Sequence, residues 1–292
     1  MATSPQKEPE PTQRPLERLI MGATPEEHAR LDAERERLSA AAAKFGTDPT
    51  AVIGSNQLTY NHLSLTSGVR VDSPVATVRV PLTPNYFVLI AMPYAWANAN
   101  QSNAFPLRGA GDMTMRMGGR IYASENIALF VGAEISFPTA SEAVLGTGKY
   151  TIGPGVGVAV PLARLNSLFF LVATENHSIG GDPSRKDVHF TRLQPALNTI
   201  WSKRVWTLLT LAWDINWNNS GKWNDSGKQS LNMLAEVGYQ FVDQWSVFAG
   251  PGVGVAGRNT PAGVDWGVQA GIRWVYATPL FSRTIFDLPL GK

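Results

Sequence analysis

The chain has 292 residues, with no cysteine, 27 glycines and 9 tryptophans; 44% of it is hydrophobic and 16% charged. Without thiols there is no disulfide framework and no thiolate metal or redox centre. A balance of 25 basic against 23 acidic side chains, net +2, gives no electrostatic case for nucleic acid.

Two regions follow different rules. Residues 1–50 hold 16 of the charged side chains, two of the 27 glycines and no tryptophan. Within them, residues 1–20 carry Pro5, Pro9, Pro11 and Pro15 among Gln, Glu and Arg, a composition too polar to order itself, and read as a flexible lead. Met1-Ala2-Thr3-Ser4-Pro5 lacks a charged stretch followed by an apolar one, so no signal peptide is read. The expectation is the mature form of an exported protein with an added start.

Thr24-Pro25-Glu26-Glu27 then supplies an N-cap, a proline at the first helical position and Glu27 where a capping box needs it, which predicts a helix running to Lys44. Its apolar members Leu31, Leu38 and Phe45 recur every seven residues, a thin stripe that lies against something larger. Three placements stay open: a solvated periplasmic helix, a plug in the larger body, or a contact for an oligomer or periplasmic partner through residues 24–45.

Nothing matches the roughly 20 apolar residues of a membrane-spanning helix; the longest apolar run, 86–97, contains Pro93. From Asn56 onward the apolar period is two. In 264–276, Val264, Trp266, Val268, Ala270, Ile272, Trp274 and Tyr276 alternate with Asp265, Gly267, Gln269, Gly271 and Arg273, the pattern of a strand with one apolar face. Similar runs predict twelve strands: 56–66, 69–81, 86–97, 112–123, 126–137, 149–160, 167–177, 187–201, 205–217, 228–240, 244–256 and 264–276.

Connections after the second, fourth, sixth, eighth and tenth strands are short. Those after the third, fifth, seventh and ninth are long and polar (98–111, 138–148, 178–186, 218–227), with 67–68 a short exception. Such alternation marks an outer-membrane barrel with periplasmic turns and external loops. A soluble barrel would show the same two-residue period, but the aromatics separate the two. Trp201, Tyr239, Trp245, Trp274 and Tyr276 fall at the short-turn ends, and Trp96, Phe137, Tyr150, Trp217 and Trp266 at the long-loop ends, as two interfacial girdles. The expected fold is therefore all-β: a transmembrane antiparallel up-and-down β-barrel of twelve strands over 51–281. It has an N-terminal helical extension in 1–50 and a periplasmic tail, 282–292, and sits in the outer membrane of a Gram-negative bacterium.

Four runs, Gly109-Ala110-Gly111-Asp112, Leu145 to Pro154 (LGTGKYTIGP), Leu193-Gln194-Pro195 and Val264-Asp265-Trp266, resemble in order and spacing the landmarks of the phenol meta-pathway family of outer-membrane transporters. The likeness spans residues 55–280; the helical extension and the tail fall outside it. It implies an outer-membrane barrel taking up small compounds, aromatic ones among them.

With the apolar parity against lipid, the lumen receives Arg116, Arg120, Glu134, Arg192, Asp214, Glu236, Asp265 and Arg273 as candidate lining residues, together with Lys149, Glu175 and several amides. Both signs are present, unlike the single-sign rings of a selective ion pore, and mutual ion pairs bracing the wall are the plainer reading. Glycines such as Gly153, Gly155, Gly157, Gly250, Gly252 and Gly254 either widen the lumen or admit close packing. No phosphate loop, cofactor site or metal-ligand spacing is read; His28, His177 and His189 are dispersed. The expected partners are membrane lipid and a small-molecule solute. One enzymatic alternative is a lipid hydrolase: His62-Leu63-Ser64 places a base and a nucleophile on one strand face, with an orienting Asn or acid required from another strand. A structural or docking barrel is the other alternative.

Overall fold

The computed structural model describes residues 25–99, 107–124, 126–219, 227–257 and 264–276. The expected lead and tail lie outside them. Helix α1 (Pro25–Phe45) is followed by β1 (Gly54–Leu65), β2 (Val69–Pro81), β3 (Tyr86–Ala99), β4 (Leu107–Ala110), β5 (Met113–Ala123), β6 (Ala128–Phe137), β7 (Lys149–Leu162), β8 (Ser167–Gly181), β9 (His189–Ile200), β10 (Val205–Asn216), β11 (Gln229–Val242), β12 (Trp245–Ala256) and β13 (Val264–Tyr276).

Every neighbour is antiparallel, and because β1 pairs with both β2 and β13 while β2 pairs with β3, the sheet closes on itself. Closure removes the edges that hydrocarbon would not tolerate. Thirteen strands make twelve staves, since β4 and β5 both pair with β3 and are one stave broken at Gly111-Asp112. Two strands, 69–81 and 264–276, match their expected bounds, and the others differ by a few residues at the ends. The largest difference is β8, which continues to Gly181 through part of the stretch read as loop.

Residues opposite one another in an antiparallel pair share a side, so the register sorts the faces. Glu236, Gln240, Ser246, Arg273, Lys149 and Asn198 are buried, whereas Leu58, Met92, Val156, Val237, Val268 and Ile272 are exposed. A water-soluble fold would reverse this. Polar groups inside and an apolar wall outside, with Trp245 stacked on Trp274 at one rim and Trp96, Trp217 and Trp266 at the other, define a membrane barrel. The strands other than β4 run from 10 to 15 residues, enough for the roughly 9–11 needed to cross a bilayer.

Of the three placements open for the helix, packing selects the plug. Leu38 and Phe45 form one buried cluster with Ile200, Trp206 and Phe248. Ala42 joins Ala159, Leu168 and Phe170 in a second. The first half of α1 stays outside, where Ala29, Arg30, Ala33 and Glu36 are exposed. The helix thus enters the barrel through its short-turn end, and the division at residue 50 falls within one packed unit.

Candidate functional site in the barrel lumen

At the short-turn end the lumen is closed by the last turns of α1 and by residues 46–53, which lead into β1. Phe45 stacks on Trp206 with ring centroids 4.7 Å apart. A Cβ on Gly238 would collide with the Trp206 ring, so one inward glycine makes the recess that holds this pair. Gly46 ends the helix with φ +68°, and a Cβ there would sit 2.9 Å from Arg273 Cδ; only glycine meets both demands. Thr47 Oγ1 donates to Ala42 O, and Asp48 Oδ1 accepts from the amide and hydroxyl of Thr50, an Asx turn that holds the reversal.

Two wall arginines grip this segment by its carbonyl oxygens. Arg273 Nη1 donates to Phe45 O at 3.0 Å while its Nε donates to Gln57. Arg79 Nη2 donates to Pro49 O at 2.9 Å, its guanidinium lying 3.7 Å over the Phe87 ring. Burial pushes the Asp48 carboxyl above its ordinary value, against the pull of its Thr50 hydrogen bonds and of the Arg120 and Arg79 charges.

Above the plug lies a cavity of about 220 Å³, bounded by Thr47, Pro49 and Thr50 on one side and by Phe87, Phe130, Arg116 and Glu134 on the other. Gly153 and Gly155 line it too, where a Cβ would strike Asn176 and Thr174 of β8, so these glycines, like Gly238, admit close packing of a neighbour. A larger cavity of about 690 Å³ opens at the long-loop end, among Arg192, Asp214, Asn216, Asn232 and Lys186.

The candidate lining residues are placed as follows. Arg116 pairs with Glu134 at 2.6 Å, and Arg192 grips Asp214 through two bonds of 2.6 and 2.8 Å. Glu236 and Arg273 approach to 3.8 Å, with Gln269 bonded to Glu236. Arg120 is inward near the plug and lends its charge to Asp48, and Asp265 sits on the inward parity at the outer end of β13. Six of these eight residues thus stand in mutual pairs of opposite sign. Glu175 is a correction. It stands opposite Thr191, beside the inward pair Thr174 and Arg192, so it faces outward; the residue-to-residue parity of β8 ran through the long polar stretch 174–178 without an apolar side to mark it.

Sequence reasoning missed Arg79 and the plug turn. In 69–81 the polar residues fall on both parities, so no face could be assigned, and Asp48-Pro49-Thr50 reads as an ordinary turn signal.

At the outer end, two of the glycine-rich runs meet. The carboxylate of Asp112 accepts from the amides of Thr147 at 2.6 Å and Ala140 at 3.2 Å. Ser141 N donates to Ala110 O, and a Cβ on Gly109 would strike the Ser141 side chain. Gly109 stands opposite Ala95, on the inward parity shared with Phe87 and Leu89, so the loop 138–148 folds onto the inner wall. Arg185 locks it from the other side, donating to Gly146 O at 2.6 Å and Thr147 O at 3.2 Å.

Solved structures of similar shape include the COG4313 outer membrane channel from Pseudomonas putida F1, with a TM-score of 0.59 at 13% identity over 77% of this chain and 96% of that one. The NanC porin aligns with a TM-score of 0.54 at 9% identity, covering 76% and 98% of the two chains. The KdgM porin aligns with a TM-score of 0.50 at 7% identity, covering 75% and 98%. No family model matches the chain, and no curated protein does. At these identities the likeness is one of fold. Together with the outward apolar band and the two girdles, it makes this chain an outer-membrane, porin-like β-barrel of the Gram-negative type.

Proposed function

We propose that the protein is a plugged outer-membrane channel for small molecules, with aromatic or hydrophobic compounds as its solutes. The observation that carries this is the arrangement of the lumen: an open polar mouth of about 690 Å³ lies at the long-loop end, and a smaller cavity ends on a segment of the chain itself. A wall built only for support needs neither cavity, since barrels of fewer strands fill with side chains. Three solved barrels of similar shape are a channel and two porins, and the resemblance to the phenol meta-pathway family supports small aromatic solutes. The smaller cavity is lined by Phe87 and Phe130 together with Arg116 and Arg79, a combination of apolar rings and cations that suits an aromatic acid. The exposed first half of α1 is the part left for a periplasmic partner.

The test is conductance in a planar bilayer, with and without residues 1–50. The intact protein gives small or rare steps, and the deleted one gives steady larger steps with the same heat-modifiable migration on a gel. A folded deletion variant that conducts nothing contradicts the reading.

A second reading has its own observation. The acid that His62 required from another strand is present: Asp72 Oδ1 of β2 lies 2.8 Å from His62 Nδ1, and Ser64 follows two residues along the same outward face. In that reading Asp72 holds the ring, His62 Nε2 takes the Ser64 proton, and the Ser64 oxygen attacks an ester of membrane lipid. Tyr60 also donates to Asp72 at 2.5 Å, and Trp266 lies 5.3 Å from the His62 ring, contacts equally suited to an interfacial girdle. Release of fatty acid from lipid vesicles that disappears in His62→Ala supports the hydrolase; no release by the intact protein removes it.

A further inference from the structure

Along the chain His177 and His189 have no ligand spacing, but the fold removes that objection. They are direct partners across the β8–β9 hairpin, and Glu175 stands two residues from His177 on the same outward face. His189 Nε2 lies 2.8 Å from Glu175 Oε1 and His177 Nε2 lies 3.5 Å from the same oxygen. The imidazole centroids are 4.2 Å apart, and one ligand atom from each of the three residues falls within 4.8 Å of the others. Ligands around a tetrahedral zinc ion, at about 2.0–2.2 Å from it, are separated by roughly 3.4 Å. Small rotamer adjustments therefore suffice.

We propose that Glu175, His177 and His189 form a binding site for a divalent transition ion of the zinc class on the outer wall of the barrel, at its long-loop rim. Two imidazoles and a carboxylate are borderline donors that favour zinc, nickel or copper over calcium or magnesium, which take oxygen ligands alone. The ligands stand on paired strands, so the backbone fixes their mutual placement without a loop having to order. The remaining carboxylate oxygen is already held: Thr191 Oγ1 donates to Glu175 Oε2, and Trp217 Nε1 donates to Thr191 Oγ1 at 2.7 Å. Such outer contacts orient a ligating carboxylate. The three side chains are 35 to 46% exposed, accessible from the external side yet at the level of the aromatic girdle. A bound ion would staple β8 to β9 where their polar connection begins, with a fourth position open to water or to a phosphate oxygen of surrounding lipid.

The experiment uses the full chain without affinity histidines, in detergent micelles, stripped with chelator and titrated calorimetrically with zinc chloride. Expected is one ion per chain, weakened at least about tenfold in His189→Ala and in Glu175→Gln, and about tenfold in Thr191→Val, which touches no metal. Cobalt(II) should give a visible absorption band that zinc abolishes and millimolar calcium leaves. Heat-modifiable migration of each variant establishes that the barrel has formed. Equal zinc affinity in folded wild-type and His189→Ala protein, or no zinc uptake by the wild type up to about 1 mM, overturns the proposal and leaves the trio a hydrogen-bonded girdle cluster.

Discussion

The two ends of the lumen are built on different physics. At the short-turn end Leu38, Ala42 and Phe45 are essentially without solvent contact and pack on Trp206, Ile200, Leu168 and Phe170. At the long-loop end the wall carries the half-exposed pair Arg192 and Asp214, and a loop is tied down by hydrogen bonds to Asp112 and Arg185. Apolar closure is strong, insensitive to salt and either seated or not; a polar mouth is more weakly held and discriminates by charge. On the proposed channel reading, the contrast assigns conduction to the inner end and selection of solutes to the outer end.

The largest effect that could break this contrast is Phe45→Ala. Loss of a buried phenyl ring costs about 3–5 kcal/mol, here charged against seating of the plug and not against the barrel, whose strands keep all their partners. Conductance should rise about a hundredfold or more, with no change in unfolding of the barrel itself; an unaltered conductance would mean the plug is not the closure.

Next in size is the outer pair. Asp214→Asn leaves Arg192 without its carboxylate, and because both side chains are partly exposed the stability change stays within about 1 kcal/mol. Selectivity is the sharper readout. The reversal potential in a salt gradient should move toward anions, and an unmoved value would assign the pair to bracing alone.

A smaller effect separates the ends by pH. Asp48 has its carboxyl raised by burial when the plug is seated and takes its ordinary value when released, so the seated form holds the proton more firmly. Seating is strongest below the ordinary carboxylate range and weakens as pH rises through it toward the raised value. Conductance should therefore climb with pH across that window and become flat in Asp48→Asn. The smallest effect is Arg37→Ala. Its exposed bonds to Glu34, whose carboxyl it holds below the usual range, and to Asn166 at the short turn after β7 contribute about 1 kcal/mol or less, so conductance changes least here.

The barrel was legible because lipid on one face and a polar lumen on the other impose a two-residue period on most staves, strongest in 264–276. Helix α1 was legible from Thr24 to Lys44, yet its destination was not: Leu38, Ala42 and Phe45 fit a groove, a partner or a lumen equally well, and which they meet depends on Trp206 and Gly238, far away in sequence. Paired charges such as Arg116 and Glu134 could be assigned to the lumen by parity. Their partners could not, because pairing follows from register. The same holds for Asp72 beside His62 and for Glu175 beside His189, two clusters assembled only when hairpins close, and for Arg79, whose strand has polar residues on both faces.

The seating of the plug can be tested directly because the chain contains no cysteine. Ala42→Cys and Ala159→Cys, introduced together, place two thiols in one buried cluster, and oxidation in intact outer membranes should join them quickly and completely, giving a barrel that stays silent in a bilayer until reductant is added to a plug-weakened Phe45→Ala background. Thiols that remain free and reactive to a membrane-impermeant reagent on the short-turn side would show that residues 38–51 do not occupy the lumen, and the account of closure would be wrong.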